Sequence, residues 1–224
     1  MAYILQIETA TKQCSVAISY KGQKLASEEL LSEGYSHGEK LHLFIQQVLN
    51  KSKLKPTDLD AVAVSKGPGS FTGLRIGVAA AKGLCFSLDL PLIAINTLEL
   101  LVQPFKEMQK YDFIIPMLDA RRMEVYTAVY NRKEFQLGQT RALVLTSNSF
   151  YEEIGEQSCF VIGNGATKFA TLNPKINATF SDSIHYPNAK DLSSLTWECY
   201  QKKAFENLGL FEPFYLKEFQ SNVK

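Results

Sequence analysis

The chain opens with AYILQI (2–7), an apolar run as short as a buried strand. CSVAISY (14–20) follows a polar turn, Gly22 punctuates, and KLASEEL (24–30) completes three successive strands. From Ser36 the period changes. Leu41, Phe44, Ile45 and Val48 recur at helical spacing, and Ser36 with Glu39 three residues on has the form of a capping box. Leu43, with Leu49, falls beyond that apolar stripe, which leaves room for a second partner. Pro56 and Asp58 mark a loop. AVAVS (61–65) then reads as a buried strand, Ser70–Phe86 as a second helix and LIAI (92–95) as a strand, giving the order β-β-β-α-β-α-β.

Around Gln103–Lys110 the pattern turns polar, with Pro104 as a breaker, which divides the chain into residues 1–103 and 104–224. The second part is a looser copy of the first. It carries apolar runs at 113–118, 123–130, 142–146 and 159–163, a short helix near 148–154 and a helix from about 192 to 205. Its last residues are free to return to the first part.

The bulk numbers narrow the classes. At 224 residues, 46% hydrophobic and 21% charged, the composition is that of an ordinary globular protein. A net charge of +1 gives no concentrated basic face for nucleic acid, so any RNA contact is expected through a partner. No run of about 18 apolar residues is evident and the N-terminus lacks a leader, so neither a membrane nor secretion is expected. The four cysteines make no paired motif and read as buried reduced thiols of a cytoplasmic protein.

One stretch carries more information: SKGPGSFTGLRIGVAAAKGLCF (65–86). A glycine-rich loop opening a helix can hold a phosphate with its N–H groups, helped here by Ser70, Thr72 and Arg75. The Gly-Lys-[Ser/Thr] ending of a P-loop is missing, and the glycine spacing is not that of a dinucleotide site. The helix itself has Gly73, Gly77 and Ala81 on one narrow face, bordered by Ala80 and Leu84. Glycine inside a helix costs about 1 kcal/mol against alanine, so close approach of another backbone is expected there. That neighbour is either the protein's own sheet or a partner helix.

Other candidates are weaker. His37, His42 and His185 do not have metal spacing and read as surface residues. Glu8 and Thr9 end the first strand, where a nucleotide-binding fold could put an acid near magnesium. Asp119 with Arg121 or Arg122 reads as an ion pair holding a turn. No Ser/His/Asp or Cys/His arrangement can be argued.

The segments LQIETATKQCSVAI, GYSHGEKL, DLDAVAVSKGPGSFTGLRIGVAAAKGLCFSLDLPLIAINTLELL, MLDARRMEVYTAVY, VIGNGA, HYPNAKDL and PFYLK occur in the order seen in the TsaB family, which the chain resembles over nearly its whole length. That family serves the bacterial synthesis of threonylcarbamoyladenosine next to the tRNA anticodon. The resemblance implies an α/β fold of two actin-like, ribonuclease H-like lobes (the ASKHA superfamily), each a mixed sheet flanked by helices. It implies a non-catalytic subunit that binds and activates a TsaD transferase, with a TsaE-type ATPase joining the pair. Alone, such a chain would form a homodimer, and tRNA would be met only through the complex. TsaD holds its metal with a histidine pair whose positions fall here on Thr97 and Leu101, judged by the shared Glu99. ATP and metal are therefore expected on partner subunits and no cofactor on this one.

Under this resemblance the partner interface comprises Leu41, Phe44, Ile45, Val48, Gly73, Gly77, Ala80, Ala81 and Leu84, and Gly77→Leu should separate the two proteins. Glu8, Thr9, Gly67, Gly69 and Ser70 form a vestigial nucleotide loop, with Glu8 standing where the family more often has aspartate. The alternative is an ATP-dependent phosphotransferase of the same fold, motivated by KGPGS and Glu8. A metal-dependent peptidase lacks a ligand set.

Overall fold

Two five-stranded sheets organise the chain, each built on the same plan. The computed structural model describes residues 2–32, 36–131 and 135–217. The first sheet contains β1 (Tyr3–Glu8), β2 (Gln13–Tyr20), β3 (Gln23–Leu31), β4 (Ala61–Gly67) and β5 (Leu92–Asn96), in the order β3-β2-β1-β4-β5. β1 runs antiparallel to β2 and parallel to β4, with Ile7 opposite Val16 and Val64. Helix α1 (His37–Ser52) follows β3, and α2 (Phe71–Leu88) links β4 to β5. This is the β-β-β-α-β-α-β order read from the periodicity.

Both faces of the central strands β1 and β4 are covered, which is why they read as continuous apolar runs rather than alternating ones, while the edge strand β3 is largely exposed. Leu5, Ile7, Val62 and Val64 pack with Leu41, Phe44 and Val48 of α1 and with Val78, Ala81 and Cys85 of α2. On the opposite face Ile4, Ala61, Ala63, Ile93 and Ile95 pack with Leu192 and Leu195. Leu195 lies in the C-terminal helix, so the chain returns to its first sheet. One compact unit comprises the residues up to Leu100 together with Pro187–Tyr215, and the other spans Leu101–Tyr186 and the last described residues. The helix placed near 192–205 from sequence order, and assigned there to the second part, therefore belongs to the first unit. Gln6 marks the junction: its Nε2 donates to Ser19 Oγ at 2.7 Å and to Thr196 Oγ1 at 3.0 Å.

Beyond that helix the chain forms a strap. Glu206 N–H donates to the Leu92 carbonyl at 2.9 Å, Phe211 enters the α1/α2 core, and Phe214 N–H donates to the Lys66 carbonyl at 2.7 Å. Lys82 Nζ donates to the Phe211 carbonyl at 2.9 Å, tying the strap to α2.

After α3 (Thr97–Val102), the second sheet contains β6 (Phe113–Asp119), β7 (Glu124–Asn131), β8 (Phe135–Val144), β9 (Cys159–Ile162) and β10 (Ala178–Phe180), in the order β10-β9-β6-β7-β8. Helices α4 (Tyr151–Ile154) and α5 (Ala166–Ala170) are short. Ile115, Met117, Val125, Val129, Phe150, Val161 and Phe169 form the core of this unit. The C-terminal helix of the first unit is α6 (Ser193–Gln201).

Two local expectations are corrected. Ser36 makes no side-chain cap for α1, because its Oγ lies against Ser32 Oγ at 3.2 Å. Helix α2, at 18 residues and mean hydropathy 1.2, does have the length and composition of a membrane span, against the reading that no such run exists. Its buried face is packed on β1 and β4 of its own unit.

Candidate functional site

The residues singled out at the start of α2 converge on the β1–β2 turn. Ser70 N–H donates to the Ala10 carbonyl at 2.7 Å, and Ser70 Oγ caps the helix by accepting from Gly73 N–H at 3.3 Å. Thr9 Oγ1 donates to the Gly73 carbonyl at 2.8 Å. The glycines make this approach possible. A Cβ on Gly69 would sit 2.7 Å from that of Ala10, while one on Gly73 or Gly77 would run into the Thr9 carbonyl or the Thr9 hydroxyl. Gly67 has φ +112° and lies under the Phe214 carbonyl. The close neighbour of the small-residue face is thus the protein's own sheet.

This burial corrects the expected interface. Leu41, Phe44, Ile45, Val48, Gly73, Gly77 and Ala81 are all buried within the first unit, with at most a small edge of Phe44 and Ile45 left open, while Ala80 and Leu84 are half-buried at the edge. Gly77→Leu would therefore act by unfolding the unit. The outward face of α2 carries Thr72, Arg75, Ala79, Gly83 and Phe86, again at helical spacing. Phe86 is 84% exposed, and nothing lies within 4 Å of a Cβ built on Gly83. On α1 the outward residues include His42, Leu43 and Gln46, so Leu43 does sit off the core stripe as expected, whereas Leu49 is buried. Nothing in the sequence separated the two small-residue faces of α2, since Ala79 and Gly83 have the same spacing as Gly73 and Gly77.

Glu8 is fully buried at the end of β1. Burial pushes its carboxyl up to about 7, against the opposing influence of the Ser65 hydroxyl and the Ala10 N–H, which reaches Oε1 at 2.5 Å. Its Oε2 has no hydrogen-bond partner. Among the described residues no group of three or more His, Cys, Asp or Glu side chains could hold a metal ion. His37 is a surprise of the same region. It is buried, not on the surface, and its Nε2 lies 2.8 Å from the Thr11 carbonyl. Burial lowers its affinity for a proton, partly offset by that carbonyl.

The equivalent turn of the second sheet, between β6 and β7, is open. Asp119 pairs with Lys168 at 2.6 Å, not with Arg121 or Arg122 as the sequence suggested. Arg121 and Arg122 are exposed and adopt left-handed backbone, with φ 70° and 46°.

Comparisons with known proteins agree with this architecture. The family model for TsaD, tRNA N6-adenosine threonylcarbamoyltransferase, matches residues 33–210. The tRNA threonylcarbamoyladenosine biosynthesis protein TsaB of Haemophilus influenzae is 31% identical over 223 residues, covering 96% of this chain and 93% of that one. Among solved structures, a Pseudomonas aeruginosa protein described as similar to peptidase YeaZ is 26% identical, with a TM-score of 0.85 over 97% of this chain and 100% of its own. The activator of 2-hydroxyisocaproyl-CoA dehydratase from Clostridium difficile, 11% identical, shares the fold at a TM-score of 0.50 over 92% of this chain and 98% of its own.

Two mixed sheets of one plan, each flanked by helices, define an α/β protein of the ASKHA class. Within that class the extent and level of the sequence match are decisive: the chain belongs to the TsaB family.

Proposed function

We propose that the chain is a non-catalytic subunit of the machinery that forms threonylcarbamoyladenosine in tRNA, and that it binds a TsaD-type transferase through the outward faces of α1 and α2. The observation that carries this reading is the outward face of α2. Phe86 is 84% exposed beside Ala79 and Gly83, and Leu43 is exposed on α1. An aromatic anchor flanked by small residues suits close packing with a partner helix. Ala80 and Leu84 border that face and join it. Linkage then requires that the subunit bind the active form of the transferase better than the inactive form. A TsaE-type ATPase would join the pair, the same face would close a homodimer when the transferase is absent, and the assembly would work in the cytoplasm with ATP and metal on its other subunits.

The phosphotransferase alternative gains nothing from the glycine-rich loop, whose Ser70 and Gly73 N–H groups are bonded within the protein.

The test is to mix the purified chain with the TsaD-type transferase of the same organism and weigh the product by light scattering. The parent should form a stable complex and support threonylcarbamoyl transfer to tRNA. Phe86→Asp and Gly83→Leu should stay folded and lose both. Normal pairing by both variants would remove α2 from the interface.

A further inference from the structure

The β6–β7 turn holds two exposed arginines, Arg121 and Arg122. Asp119 Oδ1 is already occupied, accepting from Arg121 N–H at 2.7 Å and from Lys168 Nζ at 2.6 Å. Glu124 pairs with Lys217. With both nearby acids matched, the guanidinium groups of Arg121 and Arg122 make no ion pair among the described residues. Among the described residues named here the surplus is two positive charges: four cations (Arg121, Arg122, Lys168, Lys217) against two anions (Asp119, Glu124).

The two arginines are consecutive at the tip of the turn. Both residues have φ between +46° and +70°, where a Cβ is unfavourable and glycine or asparagine would sit more easily. Lys21, Lys53 and Lys203 share this backbone conformation elsewhere in the chain, so what sets the two arginines apart is their adjacency and their unmatched charge. The turn is also held firmly. Ala120 N–H donates to the Glu124 carbonyl at 3.0 Å, Glu124 N–H to the Arg121 carbonyl at 3.1 Å, and Asp119 N–H to Asn164 Oδ1 at 3.0 Å. Lysine–acid pairs brace its base while two arginines project from its tip.

A guanidinium fork matches the oxygens of a phosphate, and two of them on adjacent residues can hold neighbouring phosphates. We infer that the Arg121–Arg122 turn is a direct contact of this subunit with the phosphate backbone of an RNA. The choice of RNA rests on the function proposed above; the phosphate chemistry does not. It amends the expectation that tRNA is met only through the partner. With a net charge of +1 over the whole chain, the contact is local and spans few phosphates.

The experiment titrates a fluorescently labelled tRNA transcript with the full chain, alone and in complex with the TsaD-type transferase, across a range of salt. The comparison is with R121G/R122G, which suits the left-handed backbone and should melt no lower than the parent. The variant should bind tRNA about tenfold more weakly, with a salt dependence shallower by about two phosphate contacts. R121K/R122K should fall between, keeping charge and losing the fork. Unchanged affinity and salt slope in the folded glycine variant would overturn the inference. So would loss of transferase pairing with tRNA binding intact, which would make the turn a protein contact. Arginine-dependent binding of inorganic triphosphate without any effect on tRNA would also overturn it, by assigning the phosphate to a small ligand. If the parent itself fails to pair, the proposed function falls, and the tRNA titration of the chain alone still decides this one.

Discussion

The β1–β2 and β6–β7 turns occupy the same place in two sheets of the same order, yet one is sealed and the other bare. Thr9, Ala10 and Thr11 are buried, with partners in α1 and α2: Thr9 bonds Gly73, Ala10 bonds Ser70 and Thr11 bonds His37. Residues 121–123 are all exposed. The helices explain the difference. The first sheet is capped by α1 and α2, of 16 and 18 residues, whereas α4 and α5 of the second unit have 4 and 5. A long helix laid over a turn forces glycine at each crossing and keeps a carboxyl from water. A turn with nothing over it is free to carry charge.

The largest effect that could break this contrast is Gly77→Leu. A leucine there meets Thr9 Oγ1 and Ile7, with no room to repack. The cost should be about 3 kcal/mol or more, seen as loss of soluble, cooperatively melting protein. A folded Gly77→Leu chain that merely fails to pair would mean that the glycine faces a partner after all.

Glu8→Gln should sharpen the contrast with the opposite sign. The carboxyl has a value of about 7 in the folded protein against an ordinary 4.5. Below about 4.5 both states hold the proton. As pH rises from there to about 7 the unfolded state releases it first, so Glu8 lowers stability through that window and by a constant amount above it. Glutamine keeps the acceptor for Ala10 N–H and removes the charge. Urea unfolding at pH 8 should find the variant more stable by on the order of 2 kcal/mol, and the gain should vanish near pH 4. Matching parent and variant profiles from pH 4 to 8 would show that the turn is not sealed. Smallest of the three is Lys168→Ala at the open turn. Its pair with Asp119 is partly exposed, so the melting free energy should drop by about 0.5 kcal/mol, and raised salt should shrink the difference.

Elements with their own period were legible in the chain, and contacts across it were not. The stripe Leu41, Phe44, Ile45, Val48 announces α1 because every fourth or third residue meets the same sheet. Ser36 and Glu39 announce a capping box that does not form, since Ser36 Oγ meets Ser32 instead, and His37 anchors that end of α1 to a carbonyl 26 residues away. Likewise Arg121 and Arg122 stand beside Asp119 in sequence, but the lysine that pairs with it is 49 residues further on. Gly73 and Gly77 signalled a close approach correctly. Which surface approached depends on where β1 lies, and no local pattern records that. The break after residue 103 lies within a few residues of the boundary between units at Leu100, whereas the return of Pro187–Tyr215 has no local signature.

That return sets the order in which the molecule can be finished. Leu192, Leu195 and Phe211 complete cores whose other members were all made before residue 101. A ribosome releases the chain from its N-terminus, so the first sheet emerges early with the face of Ile4, Ala63 and Ile93 still bare. The described strands of the second unit are complete by Phe180, before the missing cover has been made. The half of the protein that is synthesised first is thus the half that closes last.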